Sequence, residues 1–313
     1  MNGTYFFIVN PKAGGGRTER LWPALQRRLD HLGLEYTWEL TAQPRDATRL
    51  ARQAVSGSTV VVVGGDGTLN ECVAGLPAGV RLGVVPTGVC NDFARSIGVS
   101  LSPLQAVDQL PESEVRPIDV PELNGLPLLS ALGVGHGIAM ARSTQAFAKR
   151  ISIIDLIRVF RALPRLSTPE LSIDLDGRRA TAKVFLLAVG NGPYFSGGLK
   201  LCPGAHCDDG LLDVLIAGDL RRAEAVAALT RFFRGTHIHQ RKFHYTKAHV
   251  VHIDGPRQVP VYADSHPLGH LPATISLRHR ALDVLVPPGR WRPSKVRSIW
   301  QRREAAIREE LSP

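Results

Sequence analysis

Val60–Asn70 reads Val-Val-Val-Val-Gly-Gly-Asp-Gly-Thr-Leu-Asn. Four β-branched residues in a row predict a strand buried on both faces, as in a parallel sheet. The strand runs into Gly64-Gly65-Asp66-Gly67-Thr68, where three glycines in four positions let the backbone turn sharply and approach a ligand closely. Leu69–Leu76 then predicts a short helix. A strand, a glycine turn and a helix N-terminus form a phosphate cradle, because backbone N–H groups and the helix dipole face the turn. Asp66 would repel a bare phosphate, so its placement calls for a magnesium ion or a ribose hydroxyl between the two.

Working outward, the same strand–loop–helix unit recurs. Thr4–Asn10 predicts a strand that ends in Asn10-Pro11-Lys12-Ala13-Gly14-Gly15-Gly16-Arg17, a glycine loop with two cations. Its spacing is not that of a Walker loop. Leu21, Leu25, Leu29 and Leu32 share one face of a helix over 21–32. Glu35–Leu40, closed by Thr41, predicts a strand and Asp46–Val55 a helix. Leu82–Pro86 is a further strand, feeding Thr87-Gly88-Val89-Cys90-Asn91-Asp92-Phe93-Ala94-Arg95 and another helix. The repeat predicts a parallel sheet covered by helices on both faces. Ligands of such sheets sit at the carboxyl ends of the strands, so the three glycine-bearing loops can converge there.

The rhythm changes near Pro117–Pro127. Beyond it, strands are predicted at Leu128–Gly133, Leu171–Leu175, Ala180–Gly190, Leu212–Ala217, His249–Ile253, Val259–Ala263, Thr274–Arg278 and Leu282–Val286. Helical passages are predicted over Met140–Leu163 and Arg221–Phe233. This divides the chain into an α/β unit over 1–122 and a β-rich, mainly antiparallel unit over 123–286. The segment 287–313 is expected to pack back on the first, its tail a basic helix with Trp291 and Trp300. The cleft between the units is the expected active site. Asp208, Asp209 and Asp213 around Gly210 read as an oxygen-rich loop suited to a hard cation. His237, His239, His249 and His252 read as solvated strand or loop positions.

Of the 313 residues, 44% are hydrophobic and 21% charged, the balance of a soluble globular protein. No apolar run reaches the roughly 18 residues needed to span a bilayer, and no signal peptide is evident. The four cysteines are too few for a disulfide framework, which points to a reducing cytoplasm. The net charge of +10 favours an anionic partner: anionic lipid, a phosphorylated small molecule or nucleic acid. No nucleic-acid-binding motif is present, so nucleic acid is not expected. Lys149–Leu166 interleaves isoleucines with arginines and is a candidate membrane-facing surface.

Five motifs in order carry a resemblance: Asn10-Pro11-x-Ala13-Gly14, Gly64-Gly65-Asp66-Gly67-Thr68-x-Asn70-Glu71, Asn91-Asp92-Phe93-Ala94-Arg95, Asn191-Gly192-Pro193-Tyr194-Phe195-x-Gly197-Gly198 and Asp208-Asp209-Gly210-x-Leu212-Asp213. Through nearly its whole length the chain resembles the diacylglycerol kinase catalytic family, which includes bacterial lipid kinases and sphingosine kinases. The resemblance implies a phosphofructokinase-like parallel α/β nucleotide domain and a second, β-sandwich-like domain, with ATP in the cleft. It implies that Asn10, Lys12, Thr41, Gly64, Gly65, Asp66, Gly67, Thr68, Leu69, Asn70 and the residue at Val89 bind the nucleotide, and that Asp66 helps hold magnesium–ATP. Asp92 would face the acceptor. A structural divalent cation would sit on the Asp209 carboxylate and the main-chain carbonyls near His206 and Leu211. A lipid hydroxyl, on diacylglycerol or a related lipid, would attack the γ-phosphate at the inner face of a membrane. Oligomeric state stays open.

Two positions depart from the family pattern. Val89 replaces a nucleotide-contacting threonine. The late Asp-Gly-Glu motif, whose glutamate takes the acceptor's proton, appears as Asp264-Ser265-His266, so the base falls on His266. A histidine can serve as base near neutral pH. Two other readings are a relative of NAD kinase or phosphofructokinase, which would not be expected to carry the Asn91–Arg95 and Asp208–Asp213 motifs, and a nucleotide- or lipid-binding protein that has lost its base, which Val89 and His266 motivate.

Overall fold

The computed structural model describes residues 4–129, 131–135, 138, 168–263 and 266–289. The helical passage expected over Met140–Leu163, the surface over Lys149–Leu166, the tail from Arg290, and Asp264 lie outside the described residues, as does the His266 side chain.

The first half alternates as expected. β1 (Tyr5–Val9), β2 (Tyr36–Leu40), β3 (Thr59–Gly64) and β4 (Arg81–Pro86) are parallel neighbours in the order β2-β1-β3-β4. Val60 to Val63 are all fully buried, so both faces of β3 are covered. The helices between them are α1 (Ala13–His31), α2 (Asp46–Ala51) and α3 (Asp66–Val73), followed by α4 (Asp92–Ser96) and α5 (Pro103–Gln109). α1 buries Trp22, Leu25 and Leu29 against Phe7 and the valines of β3. α3 starts three residues earlier than the expected Leu69, because Gly65 is its N-cap and takes Asp66 and Gly67 into the first turn.

The second half differs from expectation in how strands are shared. β5 (Glu114–Leu123) and β6 (Leu126–Pro127) precede β7 (Leu132–Val134), β8 (Glu170–Leu175), β9 (Arg178–Lys183) and β10 (Leu186–Gly190). β11 (Leu212–Ala217), α6 (Arg222–Arg234), β12 (Phe243–Ala248), β13 (Val251–Asp254), β14 (Pro260–Ala263), β15 (His266–His270) and β16 (Ala273–Val286) complete the chain. The single strand expected over Ala180–Gly190 is two strands in different sheets. β9 is exposed along its length and pairs with β8, whereas β10 is wholly buried between β7 and β11.

One ten-stranded mixed sheet therefore runs β2-β1-β3-β4-β16-β13-β8-β9, with β5 and β6 joined to it through β16. A six-stranded antiparallel sheet runs β12-β11-β10-β7-β14-β15. Period-two alternation sends Leu187 and Val189 into a core shared with Leu171, Ile173, Val251 and Ile275 of the other sheet. Leu186 and Ala188 face the other way, onto Leu229 and Phe232 of α6. This is the β-sandwich.

The strands expected at Thr274–Arg278 and Leu282–Val286 are one strand, β16, with an irregularity between Arg278 and Leu282. Its later part runs parallel beside β4, through Asp283 and Val284, while its earlier part pairs with β13. The last described strand thus belongs to both halves of the molecule.

Candidate active site

Three loops leave the carboxyl ends of β1, β3 and β4, which are adjacent and parallel. β1 lies between β2 and β3, so the chain reverses its winding beside β1, where open α/β sheets bind ligands. There Asn10 Nδ2 donates to Thr68 Oγ1 at 2.9 Å, tying the first loop to the glycine turn. The Lys12 N–H donates back to Asn10 Oδ1 at 3.0 Å. Gly14, Gly15 and Gly16 all have positive φ, and a Cβ on Gly14 would collide with the Thr87 carbonyl oxygen. Thr18 Oγ1 donates to Thr87 Oγ1 at 2.6 Å in full burial, which fixes the same contact from the helix side.

The turns after β3 and β4 touch backbone to backbone. A Cβ on Gly88 would lie 2.5 Å from Gly65 Cα, so only glycine allows the two turns to cross. Asn91, at φ 53, folds its Nδ2 onto the Gly88 carbonyl at 2.9 Å. Thr41, at the end of β2, is buried and donates its N–H to the Val9 carbonyl. Val89 projects from this surface, 73% exposed. Asn70 reaches away from the turn, its Oδ1 accepting the Leu129 N–H at 2.9 Å. Gly64, Gly67 and Leu69 sit on the same turn and helix start.

Asp66 and Asp92 are the buried carboxylates of the site. Asp66 Oδ2 accepts the Asp92 N–H and Oδ1 the Phe93 N–H, both at 3.1 Å, so Asp66 caps α4. Asp92 Oδ2 accepts the Gly197 N–H at 2.9 Å, from the loop that follows β10. Its Oδ1 is buried, has no hydrogen-bond partner and lies 3.9 Å from Arg95 Nε. Arg95 in turn stands 5.5 Å over the Tyr194 ring. Burial, then the charge of Asp66, pushes the Asp92 carboxyl up to about 7. Burial raises Asp66 as well, against the backbone amides of Phe93, Asp92, Asn91 and Asp66 itself, which favour its charge.

Sequence reasoning did not single out Asp119, the junction of the second half. It is wholly buried. Its Oδ2 accepts the Gly210 N–H at 2.7 Å, and its Oδ1 is met by His279 Nδ1 at 2.7 Å and the Arg280 N–H at 2.8 Å. Asn191 Nδ2 donates to the Asp119 carbonyl at 2.8 Å. The available signal was a lone carboxylate between Ile118 and Val120 in an apolar stretch.

The loop expected to hold a divalent cation has other partners. Asp209 Oδ1 accepts the Leu211 N–H at 3.1 Å and Oδ2 accepts Lys247 Nζ at 2.6 Å. Lys247 Nζ also lies 3.2 Å from Asp213 Oδ2. Among the described residues no group of three or more His, Cys, Asp or Glu side chains could hold a metal. With Lys247 in place, each Asp209 oxygen already accepts a donor, and a divalent cation on His206, Asp209 and Leu211 would compete with the Lys247 ammonium for that carboxylate. Burial disfavours the Lys247 ammonium, but Asp213 and Asp209 outweigh it and hold its pKa above the usual range.

Among the histidines, His237 is a correction. It is fully buried, packed edge-on against Phe232 with ring centroids 4.6 Å apart. Burial lowers its pKa to about 4, and it belongs to the core. His266 opens β15, its backbone paired with Ala263.

Residues 4–123 match the family model described as diacylglycerol kinase catalytic domain. Residues 134–286 match the one described as YegS C-terminal NAD kinase beta sandwich-like domain. The chain thus carries a diacylglycerol kinase catalytic domain followed by a YegS C-terminal domain. It is 29% identical to the diacylglycerol kinase of Bacillus subtilis (strain 168), over 90% of this chain and 95% of that one. It is also 29% identical to that of Staphylococcus carnosus (strain TM300), over 90% and 94%. A crystal structure of a diacylglycerol kinase from Bacillus anthracis str. Sterne superposes with a TM-score of 0.69 at 25% identity, covering 92% of this chain and 98% of that one. A second structure from the same organism gives 0.75 over the same shares. These relatives support a kinase of lipid-kinase type. No helix among the described residues is long and apolar enough to cross a membrane.

Proposed function

We propose that this protein is an ATP-dependent lipid kinase that phosphorylates a hydroxyl of diacylglycerol or a related lipid. The observation that carries the reading is Asp92: a buried carboxylate with one oxygen that no hydrogen bond satisfies, where the three glycine-bearing turns meet the loop from the sandwich. In this reading the N–H groups of the Gly64–Thr68 turn and the Lys12 loop cradle the ATP phosphates, and Lys12 and Arg17 offset their charge. The Asp92 Oδ1 orphan suits a hydrated magnesium ion or the acceptor hydroxyl, whereas the Asp66 oxygens already serve two amides. Bound magnesium would neutralise charge on the phosphates.

The acceptor oxygen forms a bond to the γ-phosphorus as the bond to the β-bridging oxygen breaks and ADP leaves. The hydroxyl proton passes to a base. His266 stands where the family's glutamate is expected, and Asp264 beside it completes the motif. A carboxyl near 7 at Asp92 is suited to holding or sharing that proton at neutral pH. The net charge of +10 favours approach to an anionic membrane surface.

Incubation with γ-labelled ATP and vesicles containing diacylglycerol, ceramide or monoacylglycerol tests the proposal, with wild type, Asp92→Asn and His266→Ala in parallel. Transfer of label to a lipid by the wild type, reduced at least tenfold in Asp92→Asn, is the expected result. ATP binding without transfer to any lipid overturns it and favours a binding protein. Undiminished turnover by His266→Ala removes His266 from the mechanism.

A further inference from the structure

The loop over 206–213 is stabilised by a charge that the chain itself supplies. Lys247 faces Asp213 directly across the β11–β12 pair. Its ammonium lies 2.6 Å from Asp209 Oδ2 and 3.2 Å from Asp213 Oδ2, with the three side chains 16%, 20% and 0% exposed. The surrounding bonds are consistent with a settled arrangement. Tyr245, two residues before Lys247 on the same face of β12, donates its hydroxyl to Asp213 Oδ1 at 2.5 Å, and that hydroxyl accepts the Gly204 N–H at 3.0 Å. Asp209 Oδ1 is closed by its own loop through Leu211, and Gly210 is pinned to Asp119. A divalent ion on Asp209 would have to expel a largely buried ammonium and strip it of two carboxylates, at the desolvation cost that makes unpaired buried charges rare.

We propose that the Lys247 ammonium is the resident cation of this loop, taking the place of a divalent metal, so that the ordering of this sandwich edge is independent of metal. The proposal does not depend on the lipid-kinase reading, because it concerns the nucleotide-free fold. It is tested by thermal unfolding of the full chain without nucleotide, in EDTA and in millimolar MgCl2 or CaCl2, for wild type and Lys247→Met.

The wild-type midpoint is expected to be the same in all three solutions. Lys247→Met should unfold roughly 4–10 °C lower in EDTA, through loss of one member of a buried ion pair. It should regain part of that loss as Mg2+ or Ca2+ is added, since two carboxylates then lack a counter-charge. A wild-type midpoint that falls in EDTA and rises saturably with either ion overturns the proposal. So does a Lys247→Met protein as stable in EDTA as the wild type. If the variant does not fold, the wild-type comparison decides alone.

Discussion

The Asp66 carboxylate accepts the main-chain N–H groups of both Asp92 and Phe93, so one buried acid fixes the backbone on which the other stands. Asp66 is the first residue of α3 and Asp92 the first of α4. Two helix starts are thereby locked to each other at the ends of adjacent strands. The Asp92 side chain is left aimed at the loop from the sandwich, held there by Gly197.

Asp66→Asn should test this positioning role. An amide can accept one of the two N–H groups but presents its own N–H to the other. The variant is expected to lose about 1–3 kcal/mol of stability, the cost of leaving a buried donor unpaired. It should also lose kinase turnover at least tenfold, with a smaller effect on the KM for ATP. A denaturant titration and steady-state kinetics check both.

Asp92 gives the pH dependence a sign. Its folded pKa, pushed up to about 7, exceeds the model-peptide value of about 4. The folded state therefore binds more protons than the unfolded state between those values, and this contribution to stability is lost as pH rises from about 4 through 7. Asp66 is raised too and acts in the same direction. Unfolding midpoints measured from pH 5 to 8 should decline for the wild type, and decline less for Asp92→Asn. Equal slopes would contradict this account. Turnover should rise over the same interval if ionised Asp92 assists the acceptor.

Gly88→Ala should separate the two turns. The new methyl would meet the Gly65 backbone, which has no flexible end to move aside. A cost of about 1–3 kcal/mol is expected from overpacking, together with a raised KM for ATP. Isothermal titration with a non-hydrolysable ATP analogue reads the second effect.

Val89→Thr is the opposite experiment. The side chain is exposed, so the swap should leave stability within about 0.5 kcal/mol. A regained hydroxyl at the nucleotide turn should tighten ATP binding roughly three- to tenfold, the worth of one hydrogen bond of about 1 kcal/mol. Unchanged affinity would place the nucleotide away from this turn.

The α/β half was legible because each of its strands is a short apolar run followed by glycines and a helical period, all local signals. β16 was not, since Arg278, His279 and Arg280 interrupt its apolar pattern where the strand is irregular. β9 and β10 read as one strand because nothing local marks the change of sheet; only their long-range partners differ. At the site, Asp66 and Asp92 stood out beside their glycines, but Asp119 and Lys247 lie in strands whose neighbours come from distant sequence. The charge between Asp209 and Asp213 comes from a lysine 38 residues beyond Asp209, a pairing that spacing alone does not reveal.

The sharing of β16 bears on how the molecule is made. Among the described residues, β4 has β3 on one side and β16 on the other, and β5 joins the large sheet through β16. During synthesis, the valine-rich strands that carry the glycine turns emerge first, and their sheet keeps a bare edge until residues near 283 follow. Such an edge invites pairing with other chains. Residues 1–123 expressed alone should aggregate, and recover solubility when a β16 peptide is supplied in trans. The α/β half of this protein is therefore finished by the last described strand, some 200 residues after its glycine turns.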